Sequence, residues 1–444
     1  MTKYPILLLS FLLMIPYPVA ETQTSPDAVV RLSLTGDWSV RVEYQNHRVE
    51  LTVDPAELVV VEAEKHDRLP LYETLGTWNA ECVPERIRGP EYTPTTFALD
   101  DDSVIVRGGE SRDSETFVRG RDFEVMPVWG AIGRKTSGHI RENQPVWFSY
   151  RFGEMRLDSI VLTADGKILL RKGTPHITIP VPPELCDGDK RLANLWVKAR
   201  IEKLEPQLLF PIEEIVWPEP ETRDGETIAE TLLPNTMAKL RNGESLRILA
   251  WGDSVTEAVY IADKSQRWQE RFVLQLQSRF PEAKIELDTE GWGGRTTTAY
   301  LAEPPDSERN YQKKVLDRQP DLIVMEFVND AGLPLDTLET VYAGLLNDFR
   351  RRNIEWVILT PHYVRPDWMG LDREREIDED PRPYVKFVRR FAGENNVAVA
   401  DAAARYGRLW RQGIPYSTLM SNNINHPKAE AMQIFSDALM AIFP

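Results

Sequence analysis

The stretch RILAWGDSVTE, residues 247–257, decides how this chain is interpreted. Its apolar first half predicts a buried strand, and that strand runs directly into Gly252-Asp253-Ser254, a turn of small and polar residues. In an open α/β sheet, ligands bind beyond the carboxyl ends of the strands, where such a turn leaves a side chain accessible. Ser254 is therefore a candidate nucleophile, provided that a base reaches it. The alternative is that Ser254 only caps the next helix, because serine is common at helix N-termini.

From residue 246 to the end of the chain, strand-like and helix-like segments alternate. Strand candidates lie at 321–328, 356–360 and 397–400, and amphipathic segments separate them. A continuous apolar run such as 321–328 is typical of a parallel strand that is buried on both faces. The alternation predicts an α/β domain over 246–444, with one parallel sheet and helices on both of its faces.

Residues 21–218 show a different pattern. Short segments such as 38–44, 103–107 and 193–201 are rich in β-forming residues, and turns rich in Gly and Asp separate the candidates. Many short strands at this spacing predict an all-β sandwich domain of jelly-roll type. A proline-rich and charged segment follows, which indicates a linker over residues 219–245.

The N-terminus combines one positive charge, a short apolar run and a small residue at Ala20. This pattern predicts a secretory signal peptide over residues 1–20, and hence an exported protein, periplasmic or extracellular. A membrane anchor is the alternative, which the shortness of the apolar run disfavours, so we expect no membrane contact after cleavage. The only two cysteines, Cys82 and Cys186, either form one disulfide or stay free.

The charge of the chain narrows the class of its partners. The formal net charge is -16, from 53 basic and 69 acidic residues. Binding to a nucleic-acid backbone needs a basic surface, so nucleic acid is not expected as a partner. The apolar content of 42% is enough to build substantial cores.

Three further polar turns follow predicted strands or precede the last helix. Residues 290–297 are rich in glycine, whose backbone can approach a ligand closely. Asn329 follows the strand at 321–328, and its amide can donate an N–H. His426 lies in Asn425-His426-Pro427, where a neutral imidazole can act as a base. Taken singly, these residues can equally be an ordinary turn, a helix cap and a structural histidine.

Taken together and in chain order, these turns resemble the pattern of the SGNH/GDSL hydrolase superfamily of serine esterases. The resemblance implies a flavodoxin-like three-layer α/β/α domain in which Ser254 is the nucleophile and His426 is the general base. It also implies an oxyanion hole built from the backbone N–H groups of Ser254 and Gly294 and the side-chain amide of Asn329. Phe327 departs from the family's usual glycine at its position, which predicts a reshaped pocket wall.

A second departure concerns the residue that orients the base. Asn423 stands three positions before His426, where the family has an aspartate. In a serine protease the same change costs about 10⁴ in kcat, although an amide oxygen can still accept the ring N–H, as in papain-like enzymes. We therefore predict a dyad of Ser254 and His426 that is oriented by Asn423 or by a backbone carbonyl. The alternative is a carboxylate from elsewhere, with Asp378 and Asp380 as candidates.

Five further residues are predicted to contact the substrate, because they follow strands of the same sheet: Trp292, Arg295, His362, Arg365 and Trp368. Aromatic faces stack on sugar rings, and arginine pairs with carboxylates. The alternative is that these side chains only fix their loops by packing.

The resulting prediction is an exported esterase that removes acyl groups from a small ester or an acylated polysaccharide. The resemblance implies acetyl as the acyl group, and neither a metal nor another cofactor is expected. One alternative is a lipid or aryl esterase. Another alternative is an inactive glycan-binding protein, which is considered because Asn423 replaces the family's aspartate.

Overall fold

The computed structural model describes residues 29–217 and 225–444 of the chain. The predicted signal peptide lies outside the described residues, as do residues 218–224 of the region around the predicted linker. Within the described ranges, no helix combines the length and the apolar character needed to cross a membrane.

The N-terminal region consists mainly of antiparallel strands. They are β1 (Arg31–Gly36), β2 (Ser39–Tyr44), β3 (His47–Thr52), β4 (Leu58–His66), β5 (Leu99–Arg107), β6 (Thr116–Phe117), β7 (Phe123–Val125), β8 (Ile132–Arg134), β9 (Val146–Gly153), β10 (Arg156–Leu162), β11 (Ile168–Arg171), β12 (Lys190–Val197) and β13 (Leu209–Pro211). They form sheets in the orders β1-β2-β3, β11-β10-β12-β13 and β4-β9-β5-β6, and β7 pairs with β8. The predicted all-β class is therefore confirmed.

The strands bury alternate side chains, as a pleated sheet with one face on a core requires. In β2, Val40, Val42 and Tyr44 are buried and their neighbours are half-buried. This face shares an apolar cluster with the sheet of β10 to β13, including Leu157 and Phe210. The sheet of β4, β5, β6 and β9 packs into a separate cluster with β7 and β8.

The C-terminal region alternates strands and helices. Its elements are α1 (Ile228–Leu232), α2 (Pro234–Asn242), β14 (Ser245–Gly252), α3 (Ser254–Glu257), α4 (Trp268–Arg279), β15 (Lys284–Gly291), α5 (Thr297–Ala302), β16 (Leu322–Glu326), α6 (Leu335–Arg351), β17 (Glu355–Leu359), α7 (Pro383–Asn395), β18 (Ala398–Ala400), α8 (Ala402–Tyr406) and α9 (Met432–Met440). Short 3₁₀ turns lie at Tyr72–Thr74, Glu85–Ile87, Pro206–Leu208, Lys264–Gln266, Val328–Gly332, Pro366–Met369, Leu409–Arg411, Tyr416–Leu419 and Ala429–Ala431, with a π-helical turn at Gln312–Leu316.

The strands β15-β14-β16-β17-β18 form one parallel sheet in that order. Helix α4 packs against α9, and α6 packs against α7, so that helical layers cover the sheet. The predicted three-layer α/β/α fold is thus confirmed. The order is the flavodoxin-like 2-1-3-4-5, whose ligand crevice lies where the order reverses, between the first and third strands. Here those strands are β14 and β16, which lead into Ser254 and Asn329.

Part of the predicted linker is structured. Helices α1 and α2 lie within the stretch 219–245, and Ala229, Leu233 and Met237 are buried in the core of the α/β domain. The α/β packing unit therefore includes residues before 246.

The two cysteines do not form a disulfide. The Sγ atom of Cys82 lies 3.5 Å from Nδ1 of His66, whereas Cys186 is exposed, and both thiols are free. Burial raises the pKa of the Cys82 thiol to about 12.

Candidate active site

The turn after β14 depends on glycine at position 252. A Cβ atom placed on Gly252 would lie 2.1 Å from Oγ1 of Thr256 and 2.2 Å from the carbonyl oxygen of Glu326. The chain can therefore turn sharply here only without a side chain. Asp253 follows and is fully buried, whereas Ser254, the first residue of α3, is partly accessible. The turn thus presents the serine at the edge of the sheet.

His426 is brought to this serine by a tightly hydrogen-bonded loop. Nε2 of His426 lies 3.0 Å from Oγ of Ser254. The Oδ1 atom of Asn422 accepts the backbone N–H groups of residues 424, 425 and 426, each at 3.0 Å, and so shapes the loop. The imidazole stacks on the ring of Tyr260, with 4.5 Å between centroids and 5° between planes. A hydroxyl and a base are therefore in hydrogen-bonding contact, as nucleophilic catalysis requires.

The other nitrogen of the imidazole contacts a carboxylate from the N-terminal β region. Oε2 of Glu91 lies 2.5 Å from Nδ1 of His426. The second oxygen, Oε1, accepts a hydrogen bond of 2.7 Å from Oγ of Ser421. The sequence reasoning missed Glu91, because no motif links two residues that are 335 positions apart. The only sign in the sequence was that Asn423 stands where the family has an aspartate.

None of the orienting residues named from sequence contacts the imidazole. Asn423 has a positive φ of 56° and directs its amide towards Oγ1 of Thr96, at 3.4 Å. Asp378 accepts hydrogen bonds from Trp410 and Arg411. The expectation that Asn423 holds the ring is corrected, because the loop turns its side chain towards the β region.

Asp380, the other carboxylate considered, is buried and paired with Arg382. The same guanidinium donates to the carbonyl oxygen of His362 at 2.8 Å. Asp380 therefore anchors the segment after β17 and does not reach His426.

Asn329, one of the predicted oxyanion donors, lies beside the serine turn. The backbone N–H and the side-chain amide of Asn329 both donate to Oδ2 of Asp253, at 2.9 and 2.8 Å. Because a primary amide carries two N–H groups, the second remains for a ligand. Gly293 donates its N–H to Glu257 at 3.1 Å, whereas Gly294 has a φ of +71° and nothing within 4 Å of the position of a Cβ. Gly294 stays a predicted donor.

Two buried carboxyl groups, those of Asp253 and Glu326, lie close to Ser254 in the turn. Asp253 accepts N–H donors from Val255 and Asn329, so it is well paired as an anion. Glu326 is fully buried, receives one hydroxyl at 3.2 Å from Thr256, and its Oε1 has no partner within the described part of the chain. Burial, reinforced by Asp253, holds the pKa of Glu326 well above its usual range. Burial also raises the pKa of Asp253, to about 6.

His362 is not positioned to bind substrate. Its side chain is fully buried, and its Nε2–H donates to the carbonyl oxygen of Asn425 at 2.7 Å. Burial, helped by the nearby Arg382, lowers the pKa of this histidine to about 3. The prediction was wrong because the segment after β17 turns inwards. Through its hydrogen bond to Asn425, His362 instead holds the loop that carries His426.

The remaining four candidates differ in accessibility. Arg365 is largely buried, with its guanidinium 4.7 Å from the ring centre of Trp129 in the β region. Arg295 is exposed and lies 5.1 Å above the ring of Trp292, which packs edge-on against Tyr300. Trp368 is 49% exposed. Trp292, Arg295 and Trp368 therefore stay candidates, whereas Arg365 connects the two regions.

Phe327 does not shape a pocket wall. Its side chain is fully buried and packs edge-on against Trp251, with ring centroids 5.1 Å apart. The expectation of a reshaped pocket at this position is corrected, because the side chain points into the core. Among residues 29–217 and 225–444, no group of three or more His, Cys, Asp or Glu side chains is placed to hold a metal ion.

Residues 250–434 match the model of the GDSL-like lipase/acylhydrolase family. The α/β domain of this chain belongs to that family. It is a carboxylic ester hydrolase domain, and the match spans the serine turn, Asn329 and His426. The β region that supplies Glu91 lies outside the match. A comparison with curated proteins found no match.

Several solved structures are similar to the domain. A mutant of Axe2, an acetyl-xylooligosaccharide esterase from Geobacillus stearothermophilus, is 19% identical with a TM-score of 0.37, covering 44% of this chain and 93% of that one. A two-domain esterase active on acetylated mannans is 17% identical with a TM-score of 0.39, covering 47% and 51%. The acetyl xylan esterase AlAXEase is 20% identical with a TM-score of 0.36, covering 44% and 98%.

Proposed function

We propose that this protein is an exported serine esterase that removes acyl groups, most simply acetyl, from a carbohydrate. The observation that carries the catalytic part is the 3.0 Å contact between Oγ of Ser254 and Nε2 of His426. The partly accessible hydroxyl lies at the crevice of the family's fold, where a flavodoxin-like sheet binds its ligand. Export rests on the predicted signal peptide, and acetyl rests on the family resemblance.

In the proposed reaction, Nε2 of His426 accepts the hydroxyl proton as Oγ of Ser254 bonds to the ester carbonyl carbon. The carbonyl π pair moves onto oxygen, giving a tetrahedral oxyanion. The oxyanion collapses, the bond to the sugar oxygen breaks, and the imidazolium returns its proton to that oxygen. Water then attacks the acyl-serine with the same histidine as base, and the acid leaves as the serine hydroxyl is restored.

The oxyanion is proposed to receive hydrogen bonds from three donors: the backbone N–H groups of Ser254 and Gly294 and the free N–H of Asn329. Asp253 positions the last of these, because it fixes the amide through its other N–H. A donor that is oriented before the reaction stabilises the developing charge without reorganisation. Each such donor typically contributes about 10²–10³ to kcat.

The proposal of a carbohydrate substrate is supported by aromatic side chains beside the site. Tyr92, next to Glu91, is 77% exposed. Phe97 is 60% exposed, and it follows Thr96, which contacts the His426 loop through Asn423. Large exposed aromatic faces are costly in water and are typical of ligand contact.

Trp368 adds a third exposed aromatic ring, this one from the α/β domain. Its turn begins at Arg365, whose backbone N–H donates to the carbonyl oxygen of Ile424 at 2.7 Å. This bond ties the turn to the loop that ends in His426. The aromatic rings therefore come from both regions of the chain, as expected for a site that contacts several sugar units.

The test is Ser254→Ala, measured on acetylated xylan and on p-nitrophenyl acetate. We expect kcat to fall by about 10⁴–10⁶, since the nucleophile of a serine hydrolase is removed. The exposed Ser278 in α4 provides a matched control, and Ser278→Ala should retain wild-type activity. Undiminished ester cleavage by Ser254→Ala would refute the mechanism.

Substrate choice is tested separately. Release of acetate from acetylated xylan, faster than cleavage of a long-chain p-nitrophenyl ester, would support the carbohydrate substrate. The reverse preference would identify a lipid or aryl esterase. Absence of both activities, together with failure of a serine-reactive phosphonate to label Ser254, would identify an inactive glycan-binding protein.

A further inference from the structure

We infer that Glu91 of the N-terminal β region is the carboxylate that orients His426 for catalysis, an inference that rests on the proposed esterase function. The active site is then complete only when both regions of the chain are present. The β region becomes part of the catalytic apparatus. Glu91 acts through the imidazole and is therefore a positioning residue.

The hydrogen bonds around Glu91 set the tautomer of the base. A carboxylate can only accept, so Nδ1 of His426 carries the proton that it donates to Oε2. The lone pair of Nε2 then faces Oγ of Ser254, as a general base requires. During proton transfer, the adjacent negative charge stabilises the imidazolium that forms.

Ser421 fixes both partners of this contact. Its hydroxyl donates to Oε1 of Glu91 at 2.7 Å, and its backbone N–H donates to the carbonyl oxygen of His426 at 2.8 Å. The same residue thus holds the carboxylate and the backbone of the histidine. Such support is expected where the angle of a hydrogen bond to a catalytic base must be maintained.

The backbone of Glu91 is held in an unfavourable conformation. Residues 89–92 form a turn closed by a 3.1 Å hydrogen bond, with Pro90 in its second position. Glu91 occupies the third position with a φ of 54°, where a type II turn favours glycine. Left-handed residues other than glycine are concentrated at functional sites, because surrounding contacts must impose them.

The turn also approaches the α/β domain closely. A Cβ on Gly89 would lie 2.9 Å from Cγ2 of Thr178 and 3.4 Å from the carbonyl oxygen of Ser421. The missing side chain lets the turn sit directly beside the residue that holds Glu91. The contact is therefore built into the packing between the two regions.

Glu91 takes the place of the family aspartate. Asn423 occupies that position, has no charge and points to Thr96 of the β region. In the part of the chain that the structure describes, Glu91 is the carboxylate bonded to the imidazole. The other groups facing it are Ser254 and Tyr260 by contact, and Asp253 and His362 at longer range.

The test compares Glu91→Gln and Glu91→Ala with Glu110→Gln, which changes an exposed glutamate of the same region. We expect both Glu91 variants to lose about 10²–10⁴ in kcat with little change in KM, as when the carboxylate of a serine triad is neutralised. The acidic limb of the kcat/KM profile should also move to lower pH, because an adjacent carboxylate favours the protonated imidazole. Glu110→Gln should match the wild type.

The near-isosteric glutamine keeps the test valid if Glu91→Ala does not fold, since its side chain can still accept from Ser421. Wild-type kcat in Glu91→Gln would overturn the inference, and so would a loss of kcat without movement of the acidic limb. Failure of the proposed function is recognised independently, as an inactive wild type or an active Ser254→Ala.

Discussion

His362→Gln tests whether the loop that carries His426, the proposed general base, is held by a neutral, buried imidazole. Nε2 of His362 donates to the carbonyl oxygen of Asn425 at 2.7 Å. Its Nδ1 is buried and has no partner within the described residues. Burial lowers the pKa of His362 to about 3 from an ordinary value of 6.5. The native protein therefore keeps this side chain neutral under all mild conditions.

The sign of the pH dependence follows from this difference in pKa. The imidazole of His362 binds a proton near pH 6.5 in the unfolded state, but only near pH 3 in the native state. Because the unfolded state binds more protons between these two values, acid favours unfolding. The contribution of the neutral His362 to the free energy of unfolding is fully present above pH 6.5 and is lost as the pH falls. Each pH unit within this window costs about 1.4 kcal/mol of unfolding free energy. At pH 5, the loss from His362 alone should be about 2 kcal/mol.

The assay is urea unfolding of the wild type and of His362→Gln at pH 7.5 and at pH 5. A glutamine amide can still donate to Asn425 and does not titrate. Other ionisable groups are common to both proteins and cancel in the comparison. Between pH 7.5 and pH 5, we expect the unfolding free energy of the wild type to fall by about 2 kcal/mol more than that of the variant. Equal losses would refute the assignment of a neutral, buried imidazole.

Two further substitutions probe the serine turn. Gly252→Ala should lower the unfolding free energy by about 3 kcal/mol or more, because its Cβ would overlap Thr256 and the backbone of Glu326; an unchanged melting temperature would contradict this. Asn329→Ala should lower kcat by about 10²–10³ with KM nearly unchanged, because one oxyanion donor is lost. Near-normal kcat in a folded Asn329→Ala protein would exclude Asn329 as an oxyanion donor. Because the variant also loses the hydrogen bond to Asp253, circular dichroism is used to check that it is folded.

The α/β fold could be predicted because its signals are local. The apolar runs that became β14, β16 and β17 are each long enough to identify a buried strand, and amphipathic helices separate them. Parallel strands all end at one edge, so the turns after β14 and β16 had to meet there. The errors arose where a side chain had two possible directions. His362 and Phe327 follow strands as expected, but both point into the core.

The sequence by itself predicted the serine turn, the proposed base and the family of the α/β domain, because each prediction depends on residues close together along the chain. It also determined that the usual aspartate is absent. Only the tertiary structure decided that Glu91 contacts His426, because that contact depends on how the β region packs against the α/β domain. Packing between two distant regions leaves no periodicity or spacing in the sequence, so its consequence becomes visible only in three dimensions.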